Sequence, residues 1–192
     1  MRKINCIFLF LAAGFIVSAC DAVIVEDYPF MPPNYNEGDF DLAAINGVIA
    51  TIVVGYPFAN RSKEFGNRFR ALMRDQIEGF PVKFVPRHGA DTIKPYKVVA
   101  VFNPRPDVVN RTICRLEERT PMTAAGRPGL VSLIMSFCIG DRLKSGTRGR
   151  VGNVKGGNNP KFSALVQQVT AAMIPPASLQ DFIQNDKQRI VN

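Results

Sequence analysis

The sequence predicts an α+β fold, with a mostly antiparallel sheet of about five to six strands and two amphipathic helices packed on one face. Three observations point to it. Val48–Val54 is a β-branched, apolar run suited to a central strand. Residues 62–78 and 160–173 repeat apolar side chains at the helical period. Between those two segments lie short alternating stretches punctuated by Pro and Gly. Strands grouped in a run, with helices before and after, argue for α+β rather than a doubly wound parallel sheet.

In chain order, the first feature is not part of that domain. Arg2 and Lys3 precede an uncharged, almost wholly apolar run from Cys6 to Val17, and Val17-Ser18-Ala19-Cys20 follows. A cationic start, a short apolar core and small residues at a cleavage point form the layout of a secretory signal. The run is shorter than the roughly 20 residues that a spanning helix needs. Its ending resembles the lipobox of bacterial lipoproteins. The resemblance implies cleavage after residue 19, diacylglycerol in thioether linkage to Cys20, and fatty acylation (palmitate or similar) of the new amino terminus. It also implies a lipid-anchored protein on the periplasmic side of a cell membrane. Asp21 is the residue type that retains enteric lipoproteins in the inner membrane; the outer membrane stays open as an alternative.

Residues 20–44 read as an acidic tether. From Asp21 to Asn60 there are six acids and no Lys or Arg, and Pro29, Pro32, Pro33, Asn34, Asn36 and Gly38 oppose regular structure. A free chain of this length would reach about 25–30 Å. Its aromatic residues, Tyr28, Phe30 and Tyr35, would also let it dock. A single domain is expected over 45–192. Residues 61–192 hold 22 cations against 10 anions, a surplus of +12. A basic body of this kind favours an anionic partner.

Within the domain, Gly55-Tyr56-Pro57 ends the first strand. Asn60 or Ser62 caps a helix to about Glu78, whose inner face is Phe65, Phe69, Leu72, Met73 and Ile77, with Gly79 as its stop. Strands follow at Val82–Val85, Lys97–Phe102, Thr112–Glu118 and Leu130–Ile139. Gly140-Asp141 is a Gly-first hairpin turn into Arg142–Val151. Simple alternation along that strand puts Arg142, Lys144, Arg148 and Arg150 on one face, an expected contact for an anionic surface. A solvated edge strand would carry the same cations. Asn159-Pro160 caps a second helix with Phe162, Leu165, Val166, Val169 and Met173 inward, and Pro175-Pro176 end it. Ser178 to Arg189 adds a short terminal helix.

Cysteine usage follows from export. Cys6 leaves with the signal, Cys20 takes lipid, and Cys114 and Cys138 remain. In an oxidising compartment two remaining thiols argue for a disulfide. The rival is a metal site, which a chain with one histidine can hardly assemble, so no metal is expected.

Catalytic patterns are sparse. His88 sits in Pro86-Arg87-His88-Gly89-Ala90-Asp91, and no Gly-x-Ser-x-Gly occurs. Glu117 and Glu118 are strand neighbours that point apart, and Asp75 and Glu78 lie among arginines on a helix surface. Gly146, Gly149 and Gly152 spell a glycine-rich repeat but lack the Lys-Ser/Thr ending and the strand-to-helix context of a phosphate loop.

In order of elements the mature domain resembles small periplasmic α+β lipoproteins that assist envelope assembly. These include the plug of the lipopolysaccharide translocon and activators of peptidoglycan synthases. Val53-Val54-Gly55-Tyr56-Pro57-Phe58, leading to a helix at Ser62, carries that resemblance. It implies a non-catalytic binding or accessory module in envelope assembly or maintenance, without a cofactor. The membrane, anionic lipid head groups, peptidoglycan or an envelope protein are the expected partners, and nucleic acid is not. The alternative is a small cell-wall or lipid hydrolase, with His88 or two acids converging in a pocket.

Overall fold

The computed structural model describes residues 23–25, 30–33, 35–36, 38–58, 63–116 and 127–174. The signal segment, Cys20, Asp21, Glu117-Glu118 and the expected terminal helix lie outside the described residues. In order the elements are β1 (Ile24–Val25), α1 (Gly38–Ala44), β2 (Val48–Val54), α2 (Lys63–Met73), β3 (Lys83–Val85), β4 (Tyr96–Phe102), α3 (Asn110–Ile113), β5 (Val131–Ile139), β6 (Arg142–Val151) and α4 (Pro160–Met173).

The six strands form one mixed sheet in the order β1-β6-β5-β4-β2-β3, and the fold is α+β. The β1/β6, β6/β5 and β5/β4 pairs are antiparallel. The β2/β3 and β2/β4 pairs are parallel. The parallel part arises because β2 and β3 are joined through α2, a crossover that returns the chain to the same end of the sheet. The β5–β6 hairpin turns on Gly140, whose φ of 57° is open to glycine at little cost.

Period-two alternation assigns the faces. Ile49 and Val53 of β2, Val98, Ala100 and Phe102 of β4, and Leu133, Met135 and Phe137 of β5 meet α1, α2 and α4 in the main core. Each fully buried aromatic or aliphatic side chain there contributes about 1.5–3 kcal/mol. Phe102 takes Phe65 and Phe69 edge-on at 5.4 and 5.2 Å, so α2 seats on the middle of the sheet. α4 starts where the Asn159 side chain accepts from the Lys161 N–H at 2.9 Å, with Pro160 at its first position. The opposite face is smaller: Val54, Val99, Val101, Ile134 and Cys138 pack on Val108, Ile113 and Leu116.

Three elements differ from the sequence expectation. The helix expected to Glu78 ends at Met73, where Asp75 adopts φ 56° and its N–H donates to the Val82 carbonyl at 3.3 Å. Gly79 serves instead the tight turn that bridges Ile77 and Phe80. The segment expected as a strand from Thr112 is a helical turn over Asn110–Ile113, closed by the Thr112 hydroxyl, which donates to the Val109 carbonyl at 2.9 Å. A disulfide joins Cys114, at the end of that turn, to Cys138 of β5.

The third difference is at the amino end. Residues 38–44, expected within the tether, are helical, and the Phe40 ring stands edge-on to Phe80 and Phe137 at 5.1 Å each. Asp39 and Asp41 lie in the first turn of α1, where the helix dipole favours negative charge. Ahead of it, Ile24 and Val25 pair with Arg150 and Gly149, and Phe30 bridges to Gly146. The packed body therefore starts well before Ile45.

Candidate functional site

The basic strand β6 is where sequence pointed, and its geometry is not a simple row. A register shift between Phe137 and Cys138 pairs Phe137 with Ser145 but Cys138 with Leu143, leaving Lys144 as the extra residue of a bulge. An extra residue inverts the alternation beyond it. Arg142 and Lys144 therefore face the helices, whereas Arg148 and Arg150 face the α3 side. The contacts agree: Lys144 Nζ lies 2.8 Å from the Asp39 carboxylate on α1, largely shielded from water. Arg148 Nη2 donates to the Val108 carbonyl at 3.2 Å, on the far face. The expected four-cation face is thus two pairs back to back.

The glycines that sequence singled out have packing reasons. A Cβ on Gly149 would stand 2.5 Å from Val169 Cγ2 and 2.9 Å from Leu165 Cδ1, both on α4. On Gly146 it would stand 2.4 Å from Asn110 Nδ2 and 2.7 Å from Ser136 Oγ. They let a helix and a buried polar turn close onto the strand.

Arg148 and Arg150 open into a groove of about 400 Å³ shared with Arg105 and Ser132, with Pro104 and Pro106 forming one wall and Ile24 and Val25 of β1 the other. Arg105 grips Asp107 through two hydrogen bonds, Nε to Oδ1 at 3.1 Å and Nη2 to Oδ2 at 2.8 Å. That pairing holds the Asp107 carboxyl below, and the Arg105 guanidinium above, their ordinary ranges. Arg105, Arg148 and Arg150 are the charged residues of the lining, with Arg105 already paired to Asp107. Arg105, Ser132 and the β1 pair had no local sequence signal. They converge only because β1 adds to the β6 edge and the chain after β4 turns at Asn103, whose φ is 45°.

A second groove, about 630 Å³, lies past the carboxyl ends of β2 and β4. Tyr56, Phe58, Asn103, Asn153, Arg127 and Lys155 are among its lining. His88 lies in neither groove. Its Nδ1 is 3.3 Å from Thr92 Oγ1, and burial together with Lys94 and Lys97 lowers its pKa. Asp75 sits on the surface in a 3.7 Å ion pair with Arg74. Among the described residues no group of three or more His, Cys, Asp or Glu side chains is placed to hold a metal, and no helix is long and apolar enough to cross a membrane.

No family model matches the chain, and no curated protein does. Among solved structures it is similar to a dodecamer of a PelC point variant from Paraburkholderia phytofirmans. The TM-score is 0.37 and the identity 11%, over 79% of this chain and 93% of that one. A similarity of that size carries no weight for function.

Proposed function

We propose that this chain is a lipoprotein anchored through Cys20 on the periplasmic side of a cell membrane, inner by the residue type at Asp21. There it acts by binding, as an accessory in envelope assembly or maintenance. What supports the binding reading is the groove between β1, β6 and Pro104–Pro106, whose lining holds Arg148 and Arg150 beside Arg105, itself paired to Asp107. Guanidinium groups suit phosphate or carboxylate through paired N–H donors. An anionic envelope component is thus its partner class, and contact involves Arg148 and Arg150 rather than all four β6 cations. Arg142 and Lys144 serve the other face, where Lys144 is engaged by Asp39.

Two measurements test this. The intact mass of protein from living cells should begin at Cys20 and include acyl chains; a product starting at Met1 without acyl mass overturns the anchor. Reversing Arg105 and Arg150 to Glu should abolish co-sedimentation with anionic vesicles or with peptidoglycan, whichever the native protein shows. Unchanged behaviour with both overturns the groove as the contact.

A further inference from the structure

We infer that the groove takes the phosphate head group of an anionic phospholipid, presented to it by the same bilayer that holds the anchor. This rests on the anchored-binding reading above and adds the ligand and the orientation.

The decisive feature is how little chain separates Cys20 from the folded body. Val25 pairs with Gly149 and Ile24 with Arg150, and Phe30 exchanges two backbone hydrogen bonds with Gly146, at 2.6 and 3.0 Å. Only three residue steps lead from Cys20 to Val23, and an extended chain covers at most about 3.6 Å per step. The β1–β6 edge is therefore tied within about 11 Å of the acylated residue. That is the depth of a head-group layer, far shorter than the reach of a free 25-residue leash. The groove is built on that edge, because Ile24 and Val25 form one of its walls.

The chemistry of the edge fits an interface. Ile24 and Phe30 are exposed at 53% and 43%, as is Val109 at 47%, next to the carbonyl that Arg148 holds. The Arg111 guanidinium sits 5.9 Å over the Phe30 ring. Apolar side chains interspersed with arginines are what a surface-lying segment presents to lipid. Near an anionic surface each cation strengthens attachment, and salt weakens that contribution. Arg148 is held by the neutral Val108 carbonyl, so it is positioned before any lipid arrives. A groove of about 400 Å³ is within the range of small-ligand sites.

The chain has no tryptophan, so Ile24→Trp, at an exposed position, supplies a single reporter. The acylated full chain carrying it is reconstituted into vesicles of phosphatidylcholine, with or without phosphatidylglycerol. Flotation with the vesicles reports the anchor, and tryptophan emission with quenching by brominated lipid reports the groove. The expected result is a blue-shifted, quenchable emission with phosphatidylglycerol only, lost in 0.5 M salt and lost on Arg150→Glu. Arg105→Glu is the second variant, and thermal melting checks that each retains the native transition. Protein that floats yet shows the same emission in both vesicle types overturns the head-group site and leaves the anchored-binding reading standing. A shift produced by inorganic phosphate in pure phosphatidylcholine overturns it in favour of a free-anion site. Arginine-dependent binding to peptidoglycan without any lipid response overturns it in favour of a glycan. Failure to float overturns the anchor, and with it the head-group site.

Discussion

Gly146 and Gly149 show how single residues in β6 answer to their neighbours rather than to a motif. The strand is basic, and its glycines invite a reading as an anion cradle. Their missing side chains are instead filled by Asn110 and Ser136 on one face and by Leu165 and Val169 on the other. A methyl at either position lies closer than van der Waals contact allows, so something must shift. Overpacking of this kind costs about 1–3 kcal/mol. Gly149→Ala is expected to lift α4 from the sheet and lower the urea midpoint accordingly. Gly146→Ala is expected to be at least as costly, because one of its close neighbours is the Met135 backbone carbonyl, which cannot swing away. Urea midpoints within error of the parent would show that the strand and helix are looser than these distances imply.

At the scale of elements, the disulfide is the clearest wager. Cys114 and Cys138 are 24 residues apart and both fully buried on the minor face. Closing a loop of that length restricts the unfolded chain by about 3 kcal/mol in the entropic model. Cys114→Ala with Cys138→Ala should lose about that much by chemical denaturation, and the loss should begin at the short α3 side, seen as faster amide exchange over 108–116. Legibility from sequence divides along the same lines. Val48–Val54, the β5–β6 hairpin and α4 were plain because period and turn chemistry agree with the tertiary environment. The turn at Asn110–Ile113 was hidden, since Thr112-Ile113-Cys114 has strand-like composition and only the Thr112 hydroxyl marks the turn. α1 was hidden by the prolines and asparagines ahead of it. The parallel pairing of β2 with β3 and β4 left no mark in local pattern. The β6 bulge mattered most, for one extra residue moved two of the four cations to the other side. Strand existence was therefore readable, whereas the groove was not, because it depends on register and on β1.

For the whole molecule the question is where the fold begins. A leash that merely links lipid to domain could be removed without cost to stability. The arrangement here predicts otherwise. Phe40 is 1% exposed and meets Phe80 and Phe137 edge-on, so it joins the β2–β3 connection side of the core to β5. Lys144, at the bulge, meets Asp39 from the same helix, and the β6 backbone at Gly146 is capped by Phe30. Phe40→Ala should cost about 3–5 kcal/mol, the range for a buried phenylalanine. A chain shortened to start at Ile45 should lose at least as much, because it also uncovers the β6 edge and the inner faces of Phe80 and Phe137. Such an edge is a template for pairing with another chain, so the shortened protein should also self-associate. Starting instead at Val23 should restore both the melting temperature and the monomeric state. If the chain from Ile45 melts like the chain from Val23, the amino-terminal segment is a passive tether after all, and the short tie that brings the arginine groove to the bilayer goes with it.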